Sequence, residues 1–112
     1  MTKYLVLYQS SGSAAAQMAT ATPEQMQAGM QAWMSWAKKA GSALVDLGQP
    51  LRYVATTTAS GATATGELPV AGFSILQAES EAALQEVLKG HPHYMAPGAS
   101  IAVLQFLPIP GM

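Results

Sequence analysis

Three side chains of the sequence have the chemistry that proton transfer needs. His91 and His93 are the two histidines of the chain, and imidazole is the side chain whose ordinary pKa lies near neutrality. Asp46 is the only aspartate, and its apolar neighbours predict burial, where a carboxylate needs a partner. A His91–Asp46 pair would orient the imidazole and raise its basicity, as a general base requires. We therefore predict His91 and Asp46 as catalytic residues.

The same residues also have simpler interpretations. Asp46 lies close to Gly48 and can cap a turn there. His91 follows the end of a predicted helix, where a histidine can bond a free carbonyl. The His-X-His spacing of His91 and His93 would hold zinc only if a carboxylate converged on it, because the chain has no cysteine and no further histidine. We predict no metal site and no cofactor.

Aromatic and methionine side chains indicate an apolar pocket. On the first predicted helix, Trp33 continues the apolar stripe, so the core is its expected place. Trp36 and Met34 lie off that stripe and would face a pocket, a partner or water. A cavity lined in this way and topped by a polar pair suits a small planar, apolar ligand. The side chains that indicate the pocket are Tyr4, Tyr8, Met26, Met30, Trp33, Met34, Trp36, Tyr53, Phe73 and Tyr94.

A subset of these side chains, with two polar residues, is predicted to contact the ligand. Arg52 lies in a predicted strand and can pair with an acidic substituent of the ligand, or with Glu67 or Glu79 of the chain. His93 would stand beside the catalytic pair. The predicted substrate-binding residues are His93, Trp36, Met34, Tyr94 and Arg52.

The elements that must position these residues alternate between strand and helix patterns. Thr22 begins a helix as its N-cap, Gln25 completes the capping box, and Gly41 ends the helix. Ser80 caps a second helix that Gly90 ends. The order is β-α-β-β-α-β, with room for an extra strand between residues 51 and 70. The predicted strands are 3–9, 42–47, 51–58, 70–78 and 100–107, the second helix is 80–89, and the long connections are 10–21 and 60–69.

This order predicts an α+β fold of the ferredoxin-like type, an antiparallel sheet with both helices on one face. The other face would carry alternate apolar residues of YLVLY, ALVDL, FSIL and IAVLQF. Half of the residues are hydrophobic and only 10% are charged, so the chain has little polar surface with which to cover that face. We predict a homodimer that packs sheet face against sheet face, with an α+β barrel between the subunits.

Composition limits the class of protein. The 112 residues are expected to form a single domain, 1–112. A net charge of −1 and scattered cations argue against a nucleic-acid partner. No window approaches the roughly 18 apolar residues of a membrane span, so no membrane partner is expected. The apolar run after Lys3 is shorter than the roughly 7–15 residues of a secretory signal, and we expect a cytoplasmic protein.

Four segments of the chain, in this order, resemble the YCII-related domain family: KYLVLYQ, VDLGQPL, GFSILQAES and KGHPHYMAPGASIAVLQFLPIPGM. The resemblance covers nearly the whole chain. It implies the dimeric α+β barrel fold. Members are small proteins, mostly of undefined function, in which a histidine and an aspartate in the cleft suggest enzymatic activity. One relative is a dehydrochlorinase that acts on a chlorinated hydroquinone.

The chain departs from this family at the positions of the histidine and the aspartate in the cleft. The namesake branch has its histidine on the first helix and its aspartate in an Asp-Pro-Tyr turn after the second. Here the first helix has no histidine, and His91-Pro92-His93 stands in the place of that turn. The pair of the namesake branch does not carry over residue by residue.

Three hypotheses of function follow. The first is a small cofactor-free lyase or isomerase that transfers a proton on a hydroxylated or halogenated aromatic, or a similar small compound, with His91 as acid/base and Asp46 as its orienter. The second is a non-catalytic homodimer that binds a small apolar molecule. The third is an accessory protein without a ligand, which predicts no enclosed pocket; a fully packed space between sheet and helices would support it.

Overall fold

A four-stranded antiparallel sheet forms the centre of the computed structural model, which describes residues 1–11, 14–61, 63–64 and 68–111. Its strands are β1 (Thr2–Gln9), β2 (Leu44–Asp46), β5 (Val70–Ala78) and β6 (Ser100–Gln105). The order across the sheet is β2-β5-β1-β6, with β5 placed between β1 and β2. This is the strand order that a split βαβ arrangement predicts.

Two longer helices begin where the sequence predicts. Helix α2 (Pro23–Ala40) starts with a complete capping box. The Thr22 hydroxyl accepts the N–H of Gln25 at 3.1 Å, and the Gln25 side chain accepts the N–H of Thr22 at 2.9 Å. Helix α3 (Glu81–Leu88) starts after Ser80, whose hydroxyl accepts a backbone N–H at 3.1 Å. These hydrogen bonds confirm both predicted N-caps. The sequence could predict them because each cap depends only on residues within one turn.

A further helix occupies the predicted connection 10–21. Helix α1 (Ala14–Thr20) has the sequence AAAQMAT. Alanine has the highest helix propensity of all residues, and this segment contains neither glycine nor proline. The sequence predicted a long connection here but not this helix.

The predicted strand 51–58 is mostly absent from the sheet. Residues 51–55 have no regular strand structure. Contacts of this segment with the sheet include a bridge from the preceding Pro50 to Gly72 and a 2.9 Å bond from the Leu51 N–H to the Ala71 carbonyl. Pro50 has no N–H with which to continue the hydrogen-bond ladder. Val54 is three quarters exposed, so this segment buries little apolar surface that would stabilise its pairing with the sheet.

A short separate hairpin follows this irregular segment. Strands β3 (Thr56–Thr57) and β4 (Thr63–Ala64) pair with each other and form their own two-stranded sheet. Strand β3 lies within the predicted strand 51–58, and β4 lies in the region 51–70, where the sequence left room for an extra strand. Residues 62 and 65–67 of the predicted connection 60–69 lie outside the described residues.

The core lies between one face of the sheet and the helices. Alternate residues of β1 and β5 are buried, as the period of two predicts for a half-covered sheet. The indole of Trp36 on α2 donates to the Val87 carbonyl of α3 at 3.0 Å and so links the two helices over this face. The buried hydrophobic residues are Tyr4, Val6, Tyr8, Trp36, Leu76, Ala78, Leu84 and Leu88.

The opposite face of the sheet is apolar and half exposed. Its residues alternate with the core residues along β1, β5 and β6, and the strand register places them side by side. Leu104 is the most exposed of them, at 47%. The face consists of Leu5, Leu7, Phe73, Ile75, Ala102 and Leu104.

Candidate functional site

A cavity of about 500 Å³ lies between α1, α2, the segment 47–50 and the ends of the central strands. Its volume falls within the range of small-molecule sites. Its walls are largely hydrophobic, and the described residues that line it include no lysine, arginine, aspartate or glutamate. The space beside the sheet is therefore not the fully packed one that would support the third hypothesis.

One wall of the cavity is the first half of the predicted apolar stripe of α2. Met26, Met30 and Trp33 line it, at helical spacings of four and three. Further along the same stripe, Ala37 and Ala40 pack against the core. Trp33 both lines the cavity and packs against the core, as predicted for this stripe, whereas Met26 and Met30 are exposed cavity residues.

Trp36 and Met34, predicted to contact a ligand, do not line the cavity. Trp36 is 4% exposed and belongs to the core, where its indole N–H bonds Val87. Three residues advance a helix by almost one turn, so Trp36 stays beside Trp33 and faces α3 instead of the cavity. Met34 is 54% exposed and does not line the cavity. Neither residue contributes to the cavity as the sequence predicted.

His93 is the ionisable imidazole that lines the cavity. It lies in the 3₁₀ turn Pro92–Met95 that follows α3. Its Nε2 atom is 2.7 Å from the carbonyl oxygen of Gln9 and 3.1 Å from that of Ser100. Two carbonyls can only accept, so Nε2 carries a proton and the neutral ring keeps its lone pair on Nδ1.

His91 lies behind the cavity wall, in a box of aromatic rings. Its ring centroid is 4.2 Å from that of Trp36, 4.6 Å from Trp33 and 4.9 Å from Tyr8. It is 1% exposed, and burial, assisted by the charge of His93, lowers the pKa of His91 to about 4. His91 is therefore neutral at pH 7.

Neither nitrogen of His91 faces a carboxylate. Its Nδ1 accepts the backbone N–H of His93 at 3.0 Å. Its Nε2 is buried and has no hydrogen-bond partner within the described part of the chain.

Asp46 serves a local turn. It is exposed at the end of β2, and its carboxylate accepts the N–H of Gly48 at 2.8 Å. The His91–Asp46 hydrogen bond predicted from the sequence is not formed, because Asp46 bonds Gly48 while both nitrogens of His91 are enclosed elsewhere. The simpler interpretation, an aspartate that caps a turn, matches the contact that is present.

Tyr94 and Arg52, predicted to bind the ligand, lie outside the cavity. Tyr94 follows His93 in the 3₁₀ turn but is 49% exposed. Arg52 is exposed in the irregular segment after Pro50. Of the five residues predicted to contact a ligand, His93 alone lines the cavity.

A directed chain of hydroxyl groups stands beside the histidines. Ser74 donates to the carbonyl of Leu47 at 2.6 Å, so its proton is committed. The Tyr8 hydroxyl therefore donates to Ser74, at 2.7 Å, and its own oxygen keeps its lone pairs as acceptors. Burial raises the pKa of Tyr8 to about 12, although the Ser74 bond opposes the rise, so Tyr8 is a neutral phenol at pH 7.

No protein-family model and no curated protein matches the chain. Its fold is similar to that of a dehydrochlorinase. One of the matched structures is 5-chloro-2-hydroxyhydroquinone dehydrochlorinase (TftG) from Burkholderia phenoliruptrix AC1100, in complex with 2,5-dihydroxybenzoquinone. The TM-score is 0.55 at 15% identity, over 96% of this chain and 94% of that chain.

At this identity the likeness to the dehydrochlorinase concerns the fold alone. The chain has a small α+β fold with a four-stranded antiparallel sheet, similar to that of the dehydrochlorinase. This agrees with the α+β part of the fold that the resemblance to the YCII-related family implied; the dimeric barrel stays a prediction, and no family model assigns the chain to that family.

Two further features bear on the predicted classes. Within the described ranges, no helix is long and apolar enough to cross a membrane. The same ranges hold no group of three or more His, Cys, Asp or Glu side chains that could bind a metal ion.

Sequence reasoning missed the part of the cavity wall that comes from α1 and the segment 47–50. Gln17 and Met18 of α1 line the cavity, as do Leu47, Gly48 and Gln49. The helix propensity of AAAQMAT was a usable signal for α1. No local signal brings the segment 47–50 to the cavity, because its place depends on pairing with β5.

Proposed function

We propose that this protein is a small cofactor-free enzyme of the lyase or isomerase type, in which His93 is the acid/base for a one-ring hydroxylated aromatic or a similar small apolar compound. The observation that carries this proposal is the placement of His93. Its ring lines the cavity while its Nε2–H is held by the carbonyls of Gln9 and Ser100. A base of this kind is orientated by the ends of β1 and β6.

The chemistry follows from the tautomer. With Nε2 protonated, Nδ1 of His93 is the atom that accepts a proton from a bound ligand. When it does so, the two carbonyl oxygens at 2.7 and 3.1 Å stabilise the resulting imidazolium through hydrogen bonds to the charged ring. No side-chain carboxylate is then needed as orienter.

His93 replaces His91 in this proposal. His91 is buried, and its Nδ1 holds the N–H of His93. A group with a pKa of about 4 is also a weak base at neutral pH. His91 is a positioning residue that fixes the turn carrying His93, and Asp46 positions the segment next to Gly48.

The ligand class rests on the walls of the cavity and on the fold likeness. Met26, Met30 and Trp33 offer apolar and aromatic surface to a planar ring. Tyr8 and the free nitrogen of His93 are hydrogen-bond acceptors, which suit hydroxyl donors on the ring edge. The dehydrochlorinase of similar fold acts on a chlorinated hydroxyhydroquinone. Loss of HCl from such a compound needs a base for the proton, while chloride leaves with the bonding electron pair.

The oligomer and the family belong to the same proposal. We propose a homodimer that buries the apolar face built around Leu5, Ile75 and Leu104, and hence the dimeric α+β barrel of the YCII-related family. The apolar, half-exposed nature of that face supports it. A cytoplasmic location stays a prediction from the sequence.

The proposal is tested with binding and turnover measured separately. Hydroquinone, a one-ring diphenol, serves as the binding probe by isothermal titration calorimetry. Chloride release from 5-chloro-2-hydroxyhydroquinone under anaerobic conditions measures turnover. We expect wild-type protein to bind the probe and release chloride, and His93→Gln to bind the probe but lose at least about 100-fold in rate. Glutamine can still donate to the carbonyls but cannot take up the proton.

Tyr94→Phe is the matched control, because it changes the next residue of the same turn without touching the cavity. It should leave both measurements unchanged. Full chloride release by His93→Gln would refute the role of His93. Failure of the wild type to bind hydroquinone would refute the small-molecule site altogether.

A second candidate is a non-catalytic binding protein. It is favoured by one observation: no carboxylate lines the described part of the cavity, so the common His–carboxylate arrangement is missing there. Binding of hydroquinone without release of chloride would favour this second function over the first.

A further inference from the structure

The glycines of the cavity wall differ in whether neighbouring atoms would leave room for a side chain. Gly29, Gly48 and Gly72 all line the cavity. A Cβ on Gly48 would lie 1.7 Å from the carbonyl oxygen of Phe73, and a Cβ on Gly72 would lie 3.2 Å from that of Gln49. At these two positions the close approach of neighbouring backbone explains the missing side chain.

Gly29 has no such explanation. It lies inside α2, an 18-residue helix, and its φ angle is not positive. A Cβ built on Gly29 would meet no neighbouring atom within 4 Å. In a helix interior glycine is less stable than alanine, because it loses more backbone entropy on folding. Among the described residues, no close backbone approach accounts for a glycine here.

Large side chains of α2 surround Gly29 in the cavity wall. Met26 and Met30 line the cavity beside it, and Trp33 lies one turn further along the same helix face. Between these three large side chains the helix backbone itself forms the wall. Gly29 is exposed, and the space over the helix backbone at this position is open.

We propose that Gly29 is a specificity-determining residue that keeps this wall open for the planar ring of the ligand. The inference rests on the proposed function, since it assumes that a small ring binds in the cavity. It adds which part of the wall the ring lies against and which residue sets the width of the slot. A methyl group at position 29 would occupy the space that the ring needs.

The test combines thermal stability with hydroquinone binding. For Gly29→Ala we expect a melting temperature about 2–5 °C higher than that of the wild type, because alanine favours the helix. We expect its affinity for hydroquinone to fall at least about tenfold, because the methyl group narrows the slot. Gly29→Leu, which also favours a helix, should abolish binding while the protein stays folded.

Ser35→Ala is the matched control. Ser35 lies on the same helix, is exposed and does not line the cavity. This variant should raise the melting temperature without changing the affinity, which separates helix stabilisation from loss of binding.

Each other outcome refutes a particular statement. Wild-type affinity in a stabilised Gly29→Ala variant would overturn the inference and leave the proposed function standing. A lower melting temperature for Gly29→Ala would show that the fold itself requires the glycine, and would also overturn it. Absence of binding by the wild type would overturn the proposed function and this inference with it.

Discussion

The Nδ1 atom of His91 accepts the backbone N–H of His93 at 3.0 Å, so that one histidine holds the other in place. His91 is enclosed by the rings of Tyr8, Trp33 and Trp36, and His93 lines the cavity. The HPH turn therefore divides its two histidines between two tasks. The buried one fixes the turn, and the other faces the space in which a ligand can bind.

Stability should depend on pH through His91. Its pKa is about 4 in the folded protein, whereas an unfolded histidine has a pKa near 6.5. Between these values the unfolded chain binds the proton more readily, so the free energy of unfolding falls as pH falls. The full loss by pH 4 is roughly 3 kcal/mol. Urea unfolding followed by tryptophan fluorescence measures it, with pH 5 to 7 as the useful window above the carboxyl titrations.

His91→Phe is the control for this pH dependence. Phenylalanine keeps an aromatic ring in the box but has no proton to bind. The free energy of unfolding of this variant should be nearly flat between pH 5 and 7. An unchanged slope would show that another group is responsible.

The hydroxyl chain of Tyr8 and Ser74 should give non-additive effects on stability. Ser74→Ala leaves both the Tyr8 hydroxyl and the Leu47 carbonyl without their partner, which we expect to cost about 1–3 kcal/mol. Tyr8→Phe leaves the Ser74 bond to Leu47 intact and should cost about 1 kcal/mol or less. The double variant should lose less free energy of unfolding than the sum of the losses in the two single variants, and chemical denaturation measures all three. Additive losses would argue against the directed chain.

Two glycines with positive φ should differ sharply in their response to alanine. Gly48 has φ +77°, and a Cβ there would lie 1.7 Å from the Phe73 carbonyl oxygen. Gly61 has φ +85° with open space around it. We expect Gly48→Ala to cost more than about 3 kcal/mol or to prevent folding, and Gly61→Ala to cost about 1–2 kcal/mol. Equal melting temperatures for the two variants would contradict the close approach at Gly48.

The proposed homodimer makes Leu104 a critical residue. It belongs to the apolar sheet face and is about half exposed in the single chain. If two such faces pack together, Leu104→Asp buries an unpaired charge and should yield monomers at micromolar concentration by light scattering. Met95→Asp, at an exposed position outside that face, should leave a dimer. A monomeric wild type would refute the proposed packing.

Features that depend on neighbouring residues were predictable from the sequence. Thr22 and Gln25 form their capping box within one turn, and Ser80 caps α3 in the same way. The alternation of buried and half-buried residues along β1 follows from the period of a strand. The strand order also agrees with the order of elements along the chain.

Features that depend on tertiary contacts were not predictable. The apolar neighbours of Asp46 suggested burial, yet β2 lies at the sheet edge and leaves its carboxylate exposed to cap Gly48. Trp36 was placed at a pocket because the position of α3, which it contacts, is not encoded in the periodicity of α2. Only the position of the turn after α3 decides that His93 lines the cavity while His91 lies behind it.

The tautomer of His93 and its response to a ligand test the central claim most directly. We would label the histidines with nitrogen-15 and record their ring nitrogens by NMR at pH 8, with and without hydroquinone. The account predicts that His93 carries its proton on Nε2, and that hydroquinone shifts its Nδ1 resonance while leaving the ring of His91 almost unchanged. A proton on Nδ1 of His93, or binding of hydroquinone that shifts neither nitrogen of His93, would contradict its role as the cavity base.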